Sequence, residues 1–451
     1  MENDLFEKAP VPKAYLTLAV PVILAMVVTM VYNMVDTYFI AMTGNTDLIA
    51  GVSLAAPVFT LMIALGDILG VGGSSVISRL FGRKEFGKVR NISALCFYGS
   101  IFIGIFMAAV LLLFSGPVLQ LLGTSEQTIQ YASDYYFWIV LGSPFIILSL
   151  TPSNILRTEG FAKEATIGSI LGSVVNMILD PIFIFTLNMG AAGAAIATVI
   201  GNMTADVYYI WRLTKRSKYL SASFGDFRPS REALGSVLAI GLPASTTNFM
   251  QTIGITLLNQ NLLPYGTDKI AAMGIVMKIN MIVVLVMVGA AFGGQPLIGY
   301  CVGARNKKRL SETIRFAFTL EGILGGVLSV LVILFAPALV SIFLKDAALI
   351  ADAVLQLRLA QAGMIFICIT LVSTCIFQAG GQGLFALILS LSRQGILYAA
   401  VIFLFSKIFG YMGVISSSVA ADFLCAVLAV ILLQIWLKKE YSRMESAAIF
   451  S

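Results

Sequence analysis

The chain has 451 residues, of which 59% are hydrophobic and only 12% are charged, and its mean hydropathy is +0.94. A soluble chain is about a quarter charged, so this composition argues against a cytosolic enzyme, a nucleic-acid-binding protein and a disordered chain. The formal net charge of +6 is typical of basic cytoplasmic loops in a membrane protein, and we expect no nucleic-acid partner.

Twelve apolar runs are long enough to cross a bilayer as helices, which takes about 20 residues each. In chain order the runs are 14–40, 48–78, 92–115, 131–152, 163–187, 190–213, 234–262, 270–300, 312–338, 355–380, 383–406 and 411–437. The first run is too long for a cleavable signal peptide, and its Pro21 and Asp36 do not suit one. The sequence therefore predicts an all-α membrane protein with twelve transmembrane helices.

The basic residues predict how these helices are oriented. Most of the 29 Lys and Arg residues precede the first run, follow the last, or lie in loops that share one side of the membrane. The loops on the opposite side hold only Lys269, Lys345 and Lys407. Because basic loops stay in the cytoplasm, we predict that both termini are cytoplasmic.

The two halves of the chain resemble each other at a shift of about 220 residues. Pro21 in AVPVILAMV pairs with Pro243 in GLPASTTNF, and ILRTEG at 155–160 pairs with IFQAGG at 376–381. Six runs in each half let both halves enter the membrane from the same side. Such parallel repeats are related by an axis along the membrane normal.

The longest polar segment, 212–233, divides these two halves. We predict an N-terminal six-helix lobe with the ion site at 1–211, a cytoplasmic linker at 212–233 and a C-terminal six-helix lobe at 234–451. The two bundles are expected to be pseudo-symmetric and to enclose a cleft. Transporters of this design alternate access by rocking one repeat against the other.

Two aspartates lie late in spans that run outward, Asp36 in the first and Asp180 in the fifth, so they share a depth. Asn176 precedes Asp180 by one helical turn. Pro181 follows Asp180, and Pro21 lies early in the first span; each proline lacks an N–H and should bend its helix. A charge at the bilayer centre costs at least about 2.5–3.5 kcal/mol, so we interpret the two acids as functional.

If the two aspartates meet, they form a carboxylate pair in a poorly hydrated lobe. Such a pair can take up a proton, or hold a hard cation through oxygen ligands. Asn176 and a hydroxyl such as that of Thr198 can supply neutral oxygens to the cation. The alternative is that each aspartate only bonds backbone amides at a kink.

The second half lacks this pair, because the shift places apolar residues near Leu258 and Val401 opposite the two aspartates. Ion coupling is therefore expected in the N-terminal lobe alone. Lys278 is the main ionic feature of the C-terminal lobe. It either pairs with Asp422, bonds carbonyls or faces the cleft.

Several weaker candidates remain. Asp67, and Met277 and Met281 on the eighth span, are candidates for the substrate cleft together with the neighbouring lysine, since Met suits promiscuous binding surfaces. Ordinary helix packing is the alternative for each. Asp206 and Glu321 are expected nearer a membrane interface or in interhelical hydrogen bonds.

The side chains that carry most enzyme and metal chemistry are missing. The chain has no histidine, which removes histidine metal ligands, general bases and proton relays. The five cysteines lie singly without a CxxC spacing, so neither a metal site nor a disulfide framework is expected. We predict a protein that is not an enzyme and has no cofactor.

Stretches in both halves together resemble the multidrug and toxic compound extrusion (MATE) family, and within it the MepA-type bacterial exporters. They are AVPVILAMVVTMVYNMVDTYFI, GVGGSSVISRLFGRKE, SNILRTEGFAKEATIGSILGSVVNMILDPIFIF, GAAGAAIATVIGN, GLPAS, GGQPLIGYCVGARN and FQAGGQG. The resemblance implies a monomeric exporter in the bacterial cytoplasmic membrane. It implies that cationic or amphipathic drugs leave in exchange for H+ or Na+.

The resemblance also assigns residues. Its ion-coupling pattern falls on Asp36, Asn176, Asp180 and Thr198, and a Na+ at these four is the one metal ion that it implies. The family's bending proline falls on Pro21, and a tyrosine near the site falls on Tyr32. Another branch carries acids in the C-terminal lobe, where the corresponding spans here have none apart from Asp422. Asp67 lies outside the family pattern.

Three other functions compete with export. A lipid-linked saccharide flippase shares the two-bundle architecture, but it would need a strongly cationic cleft, and Lys278 is nearly the only deep base. A major-facilitator carrier fits the loop FGRKEFGKVR, yet no acid stands just before Arg79. A channel or receptor would need no paired carboxylates. We predict a secondary active exporter whose partners are small-molecule drugs or organic cations and the lipid bilayer.

Overall fold

The computed structural model describes residues 2–449, a range that is helical and contains no strand. Its membrane-crossing helices are α1 (Val11–Met42), α2 (Thr46–Gly82), α3 (Phe86–Leu113), α4 (Ile129–Leu141 with Ser143–Thr158), α5 (Ala162–Thr186), α6 (Gly190–Arg216), α7 (Arg231–Leu262), α8 (Thr267–Gly303), α9 (Lys307–Ser341), α10 (Ala347–Ala362 with Met364–Ala379), and α11 and α12, which share Gly383–Ser446. Gly410, with φ 57° and ψ −133°, divides α11 from α12. The predicted all-α architecture with twelve transmembrane helices is confirmed.

Length and apolar composition identify most of these helices as membrane spans without further argument. Seven helical segments of the described chain are each long and apolar enough to cross a membrane. Counting each of two bent helix pairs as one span raises the number to nine. The remaining spans are α6 and α7, which are richer in polar residues, and the second half of the long α11–α12 segment. Polar residues inside α6 therefore need partners within the protein.

The backbone of the first half recurs in the second. α4 bends by 51° at Gly142, and α10 bends by 43° at Gly363. Left-handed turns recur at the same shift, as Gly160 with φ 94° and Gly381 with φ 79° illustrate. A left-handed φ favours glycine because it has no Cβ. The internal repeat predicted from the sequence is therefore visible in the backbone.

The chain packs as two compact units, and two helices are divided between them. Unit 1 comprises Leu24–Ser245 with the N-terminal residues up to Leu5, and unit 2 comprises Phe6–Ile23 and the chain from Thr246 onwards. α1 and α7 thus each change unit in mid-helix, two residues after Pro21 and Pro243 respectively. The division into lobes at 212–233 stays a prediction.

Each unit has its own apolar core. In unit 1 the core includes Ile40, Leu48, Met62, Tyr136 and Ile147. In unit 2 it includes Leu262, Val276, Val340, Leu357 and Ile402. Apolar surroundings offer no water to a buried polar group, so a polar side chain at this depth must find a partner in the protein or bind one.

The polar linker packs on unit 1 instead of hanging free. Glu159 accepts hydrogen bonds from the Ser217 hydroxyl at 2.5 Å and from the Lys218 backbone N–H at 3.0 Å. The Tyr98 hydroxyl donates to the Ala222 carbonyl at 2.9 Å. These bonds fix the path of 217–222 against the ends of α3 and α4.

Candidate functional site

The site begins with a close crossing of α5 and α6 in unit 1. A Cβ at Gly172 would lie 2.7 Å from the Gly201 carbonyl oxygen, and a Cβ at Gly201 would lie 2.7 Å from the Gly172 carbonyl oxygen. Two glycines therefore permit a backbone approach that side chains would prevent. One turn further along, the Asn176 side-chain amide donates to the Thr198 hydroxyl at 3.3 Å.

Local backbone geometry then changes directly after Asp180. The α-helical part of α5 ends at Pro181, and a π turn follows at Ile182–Thr186. Proline removes one N–H from the helical ladder and disturbs the preceding turn, which accounts for the change at this place. π turns occur often at functional sites. The expected disturbance of the fifth span at Pro181 is therefore present.

Asp36 and Asp180 meet inside unit 1. Their side chains lie within hydrogen-bonding reach of each other. Asp180 is fully buried, and Asp36 is partly buried on α1. α1 contributes Asp36 from the part of the helix that follows Pro21, and α5 contributes Asp180 just before its π turn. Two acids that are 144 positions apart in the chain thus form one carboxylate pair.

Three of the four carboxylate oxygen atoms of this pair accept no hydrogen bond. Both carboxylate oxygens of Asp180, Oδ1 of Asp36 and Oδ1 of Asn176 are buried and accept no hydrogen bond. Two ionised carboxylates in contact repel each other, and only a shared proton or a cation relieves that repulsion. A small positive ion bound between the two carboxylates would remove that repulsion.

Two tyrosines border the carboxylate pair. The hydroxyl of Tyr32 lies within hydrogen-bonding reach of Thr198 and interacts with both acids. Tyr135, on the first segment of α4, is buried and also interacts with Asp36, Asp180 and Tyr32. Sequence reasoning missed Tyr135. The available signal was a polar hydroxyl within the apolar run YYFWIV.

The donor set decides which ions fit. Among the described residues no group of three or more His, Cys, Asp or Glu side chains could hold a metal ion. Carboxylate, amide and hydroxyl oxygens, which border the pair, are the ligands that suit a hard cation or a proton. Asp36, Asn176, Asp180 and Thr198 supply these oxygens.

The other predicted site residues lie on α2 and α8. Asp67 is partly buried on α2 of unit 1. On α8 of unit 2, Met277 is partly buried, Lys278 is exposed and Met281 is 46% exposed. A contact with substrate stays a prediction for each of the four.

One of the three alternatives for Lys278, a pair with Asp422, is not formed. Asp422 does not pair with Lys278, because its Oδ1 accepts a hydrogen bond from Nε of Arg393 at 3.0 Å. Arg393 lies in a π turn, Ser392–Ile396, within α11. It is a second deep base that the sequence reading passed over. Asp422 neutralises its charge.

Asp206 and Glu321 were expected nearer a membrane interface or in interhelical hydrogen bonds, and the structure bears on the second alternative only. Both oxygens of each carboxyl group are buried without a hydrogen-bond partner, so the interhelical bonds are not formed. Asp206 is 2% exposed and Glu321 is fully buried. The sequence gives the depth of a residue but not which helix faces it.

Twelve membrane-spanning helices, an internal repeat and acids buried at membrane depth define the class of the protein, a multi-pass membrane transporter. A sequence model of the MatE family matches residues 21–182 and again residues 243–404. The chain belongs to the MatE family, which confirms the sequence resemblance to MATE transporters. The double match coincides with the repeat.

Relatives and solved structures agree with this assignment. Multidrug export protein MepA of Staphylococcus aureus is 31% identical over 427 residues, covering 95% of this chain and 94% of that protein. MepA of Staphylococcus saprophyticus is 29% identical over the same length. A crystal structure of MATE in the straight conformation superposes with a TM-score of 0.92 at 26% identity over 98% of both chains. The structure of a multidrug resistance MATE family transporter in an outward-facing conformation superposes with a TM-score of 0.90 at 27% identity, with 98% of both chains covered.

Proposed function

We propose that the chain is a secondary active multidrug exporter that exchanges cationic or amphipathic drugs for H+ or Na+. Its membership of the MatE family and its similarity to a multidrug export protein over 95% of the chain support the export of drugs. The exchange with an ion rests on the carboxylate pair. Export needs no cofactor and no chemical conversion of the drug.

The observation that carries the proposal is the meeting of Asp36 and Asp180, three of whose four carboxylate oxygens lack a hydrogen-bond donor. An ion that binds there replaces repulsion between two acids by attraction to both. Asn176 and Thr198 add neutral oxygens beside the pair. A proton needs only the carboxylates, whereas Na+ would use all four side chains, and we favour the proton.

The proposed cycle uses α1 as the moving part. A drug enters from the cytoplasm, and an ion then reaches the carboxylate pair from outside. Ion binding bends α1 at Pro21 and lowers the affinity for the drug. A ligand shifts such an equilibrium only by its differential affinity for the two states, so the ion must bind the drug-releasing state more tightly.

Substrate contacts are proposed for Asp67, Met277, Lys278 and Met281. A methionine side chain adapts to ligands of different shape, and aromatic faces add cation–π attraction for organic cations. An acid attracts a cationic drug directly. We further propose that the protein acts as a monomer in the bacterial cytoplasmic membrane, with both termini in the cytoplasm.

The test is ethidium efflux from proteoliposomes that contain the purified full-length chain. A pH gradient and a sodium gradient are applied separately, each with the membrane potential clamped. We expect efflux with the pH gradient, and we expect it to be lost in Asp36→Asn and in Asp180→Asn. Asp47→Asn is the matched control because Asp47 is an exposed aspartate on α2.

Near wild-type efflux by either site variant would exclude a coupling role for the pair. Efflux that depends on sodium and ignores pH would exclude proton coupling and leave the carboxylate site as a Na+ site. Dye movement that continues without any gradient of ion or dye concentration would contradict secondary transport altogether.

A further inference from the structure

Glu321 is a buried acid that the ion site of unit 1 does not use. It lies in the middle of α9, is fully buried, and neither carboxylate oxygen has a hydrogen-bond partner. An ionised carboxylate in an apolar interior without donors or a counter-ion is strongly disfavoured. Something must satisfy or neutralise this group.

The groups that face Glu321 come from α1 and α10, and all belong to unit 2. They are Tyr15 on α1, and Cys368 and Cys375 on α10. α8 contributes the backbone carbonyls of Ala290 and Ala291. Its Met287 side chain lies near Gly325, which is one turn after Glu321 on α9. Among the described residues no lysine or arginine forms an ion pair with Glu321.

The donors near Glu321 are committed elsewhere. The Tyr15 hydroxyl donates to the Ala290 carbonyl at 3.1 Å, and the Cys375 thiol donates to the Ala291 carbonyl at 3.2 Å. Both carbonyls lie on α8 just before its break at Gly294. The Cys368 thiol donates to the backbone carbonyl of Glu321, at 3.4 Å, and not to its side chain.

We propose that Glu321 is a second proton-binding site of the exporter, held as a neutral carboxylic acid in this conformation. The inference rests on the proposed function, because it adds a proton site in unit 2 to ion-driven export. When water reaches Glu321, its carboxylate binds one H+ from the solvent. When water reaches it a second time, the carboxylic acid releases that H+ to the solvent. No bond other than O–H forms or breaks.

The surroundings favour a proton over a metal cation. A hard cation needs about six oxygen ligands, whereas the side chains that face Glu321 offer one phenolic oxygen and two thiols. Thiols are poor ligands for hard ions. The contrast with the carboxylate pair of unit 1 is direct, since amide and hydroxyl oxygens are available there.

Loss of the proton has a mechanical consequence. A charged Glu321 needs donors, and the Tyr15 hydroxyl and the Cys375 thiol are two that face it. Recruiting them breaks their bonds to α8, because a hydroxyl or a thiol has a single proton to donate. Tyr15 lies on the part of α1 that precedes Pro21. The charge state of Glu321 therefore controls how this end of α1 is attached to unit 2.

The experiment compares wild type with Glu321→Gln, which imitates the neutral acid. Infrared difference spectra of the purified full-length chain in lipid nanodiscs are recorded across a pH titration. Proton release on an alkaline pH jump is measured with a pH indicator. We expect Glu321→Gln to lose one carboxylic C=O band and to release about one proton fewer per chain.

Two further variants complete the design. Glu312→Gln is the matched control, because Glu312 is an exposed glutamate on the same helix, and its spectrum should match wild type. Glu321→Asp retains a carboxyl group and should displace the C=O band without abolishing it. If Glu321→Gln does not fold, this displacement still assigns the band.

Unchanged bands and unchanged proton release in Glu321→Gln, or no displacement in Glu321→Asp, would overturn the proton site. The outcome is separable from that of the proposed function. Wild-type vesicles that fail to move ethidium under any gradient refute ion-driven export whatever the spectra show. If wild-type vesicles transport ethidium but the infrared spectra do not change on substitution of Glu321, only the second proton site is refuted.

Discussion

The two halves share a backbone but place their charges in opposite ways. At the shift that relates the halves, buried Leu258 and Val401 stand where the first half has Asp36 and Asp180. Conversely, Glu321 stands where the first half has Ser100. Ser100 is satisfied, since its hydroxyl lies 2.6 Å from that of Thr151.

This comparison separates what the scaffold needs from what function adds. The bends at Gly142 and Gly363 and the turns at Gly160 and Gly381 occur in both halves, so they belong to the scaffold. Acids that occur in one half only are not needed to build a six-helix bundle. A buried charge that the fold does not require is a functional candidate.

The largest effect is expected when the first half is made to resemble the second. The double variant Asp36→Leu, Asp180→Val removes two buried charges and installs the residue types of the other half. We expect a folded protein whose gradient-driven ethidium efflux falls to the level of protein-free vesicles. Size-exclusion chromatography checks the fold. Retained efflux would show that the two aspartates of the first half are not needed for transport.

The next effect concerns the ion pair of the second half. Arg393→Gln leaves Asp422 buried without its cation, and we expect a loss of about 3 kcal/mol in stability. Thermal unfolding in detergent measures it. The double variant Arg393→Met, Asp422→Leu should recover most of the loss, because both charges are then gone. Equal destabilisation by the single and double variants would contradict a structural pair.

A smaller effect is expected at the α5–α6 crossing. Gly172→Ala places a Cβ 2.7 Å from the Gly201 carbonyl oxygen, so the helices must separate. We expect a loss of about 1–3 kcal/mol in stability, together with weaker ion binding. Gly326→Ala on α9 is the control, because a Cβ there meets no atom within 4 Å. Similar melting temperatures for both variants would refute the tight crossing.

The smallest effect is expected at Thr198. Thr198→Ala removes the hydroxyl that accepts from Asn176, a bond worth about 0.5–1.5 kcal/mol. If Na+ is the coupling ion, its concentration for half-maximal efflux should therefore rise by up to about tenfold, whereas a proton, which needs only the carboxylates, should bind almost as in wild type. Thr198→Ser keeps the hydroxyl and should behave as wild type. An unchanged Na+ concentration in Thr198→Ala would exclude that hydroxyl from the site.

Much of this architecture was predictable because it depends on depth and period. Apolar runs of sufficient length had to become spans, and the equal depth of Asp36 and Asp180 allowed their meeting to be predicted. The double match of the MatE family and the recurring glycine turns bear out the repeat.

The rest depended on rotation about helix axes, which a sequence this apolar leaves open. A helix buried on all sides has no polar face to reveal its orientation. The partner of Asp422 and the isolation of Glu321 were missed for that reason. Arg393 lies within a predicted span but was not identified as a deep base. Its π turn contains no proline, so the sequence has no signal for the change in backbone geometry.

The division of α1 and α7 between the two units determines whether the protein can be expressed as two separate fragments. A break within 212–233 would leave the first fragment without the start of α7, and the second without Phe6–Ile23. Neither fragment would then contain a whole packing unit. We therefore expect both halves to be needed in one polypeptide, or to be synthesised together, for either unit to pack.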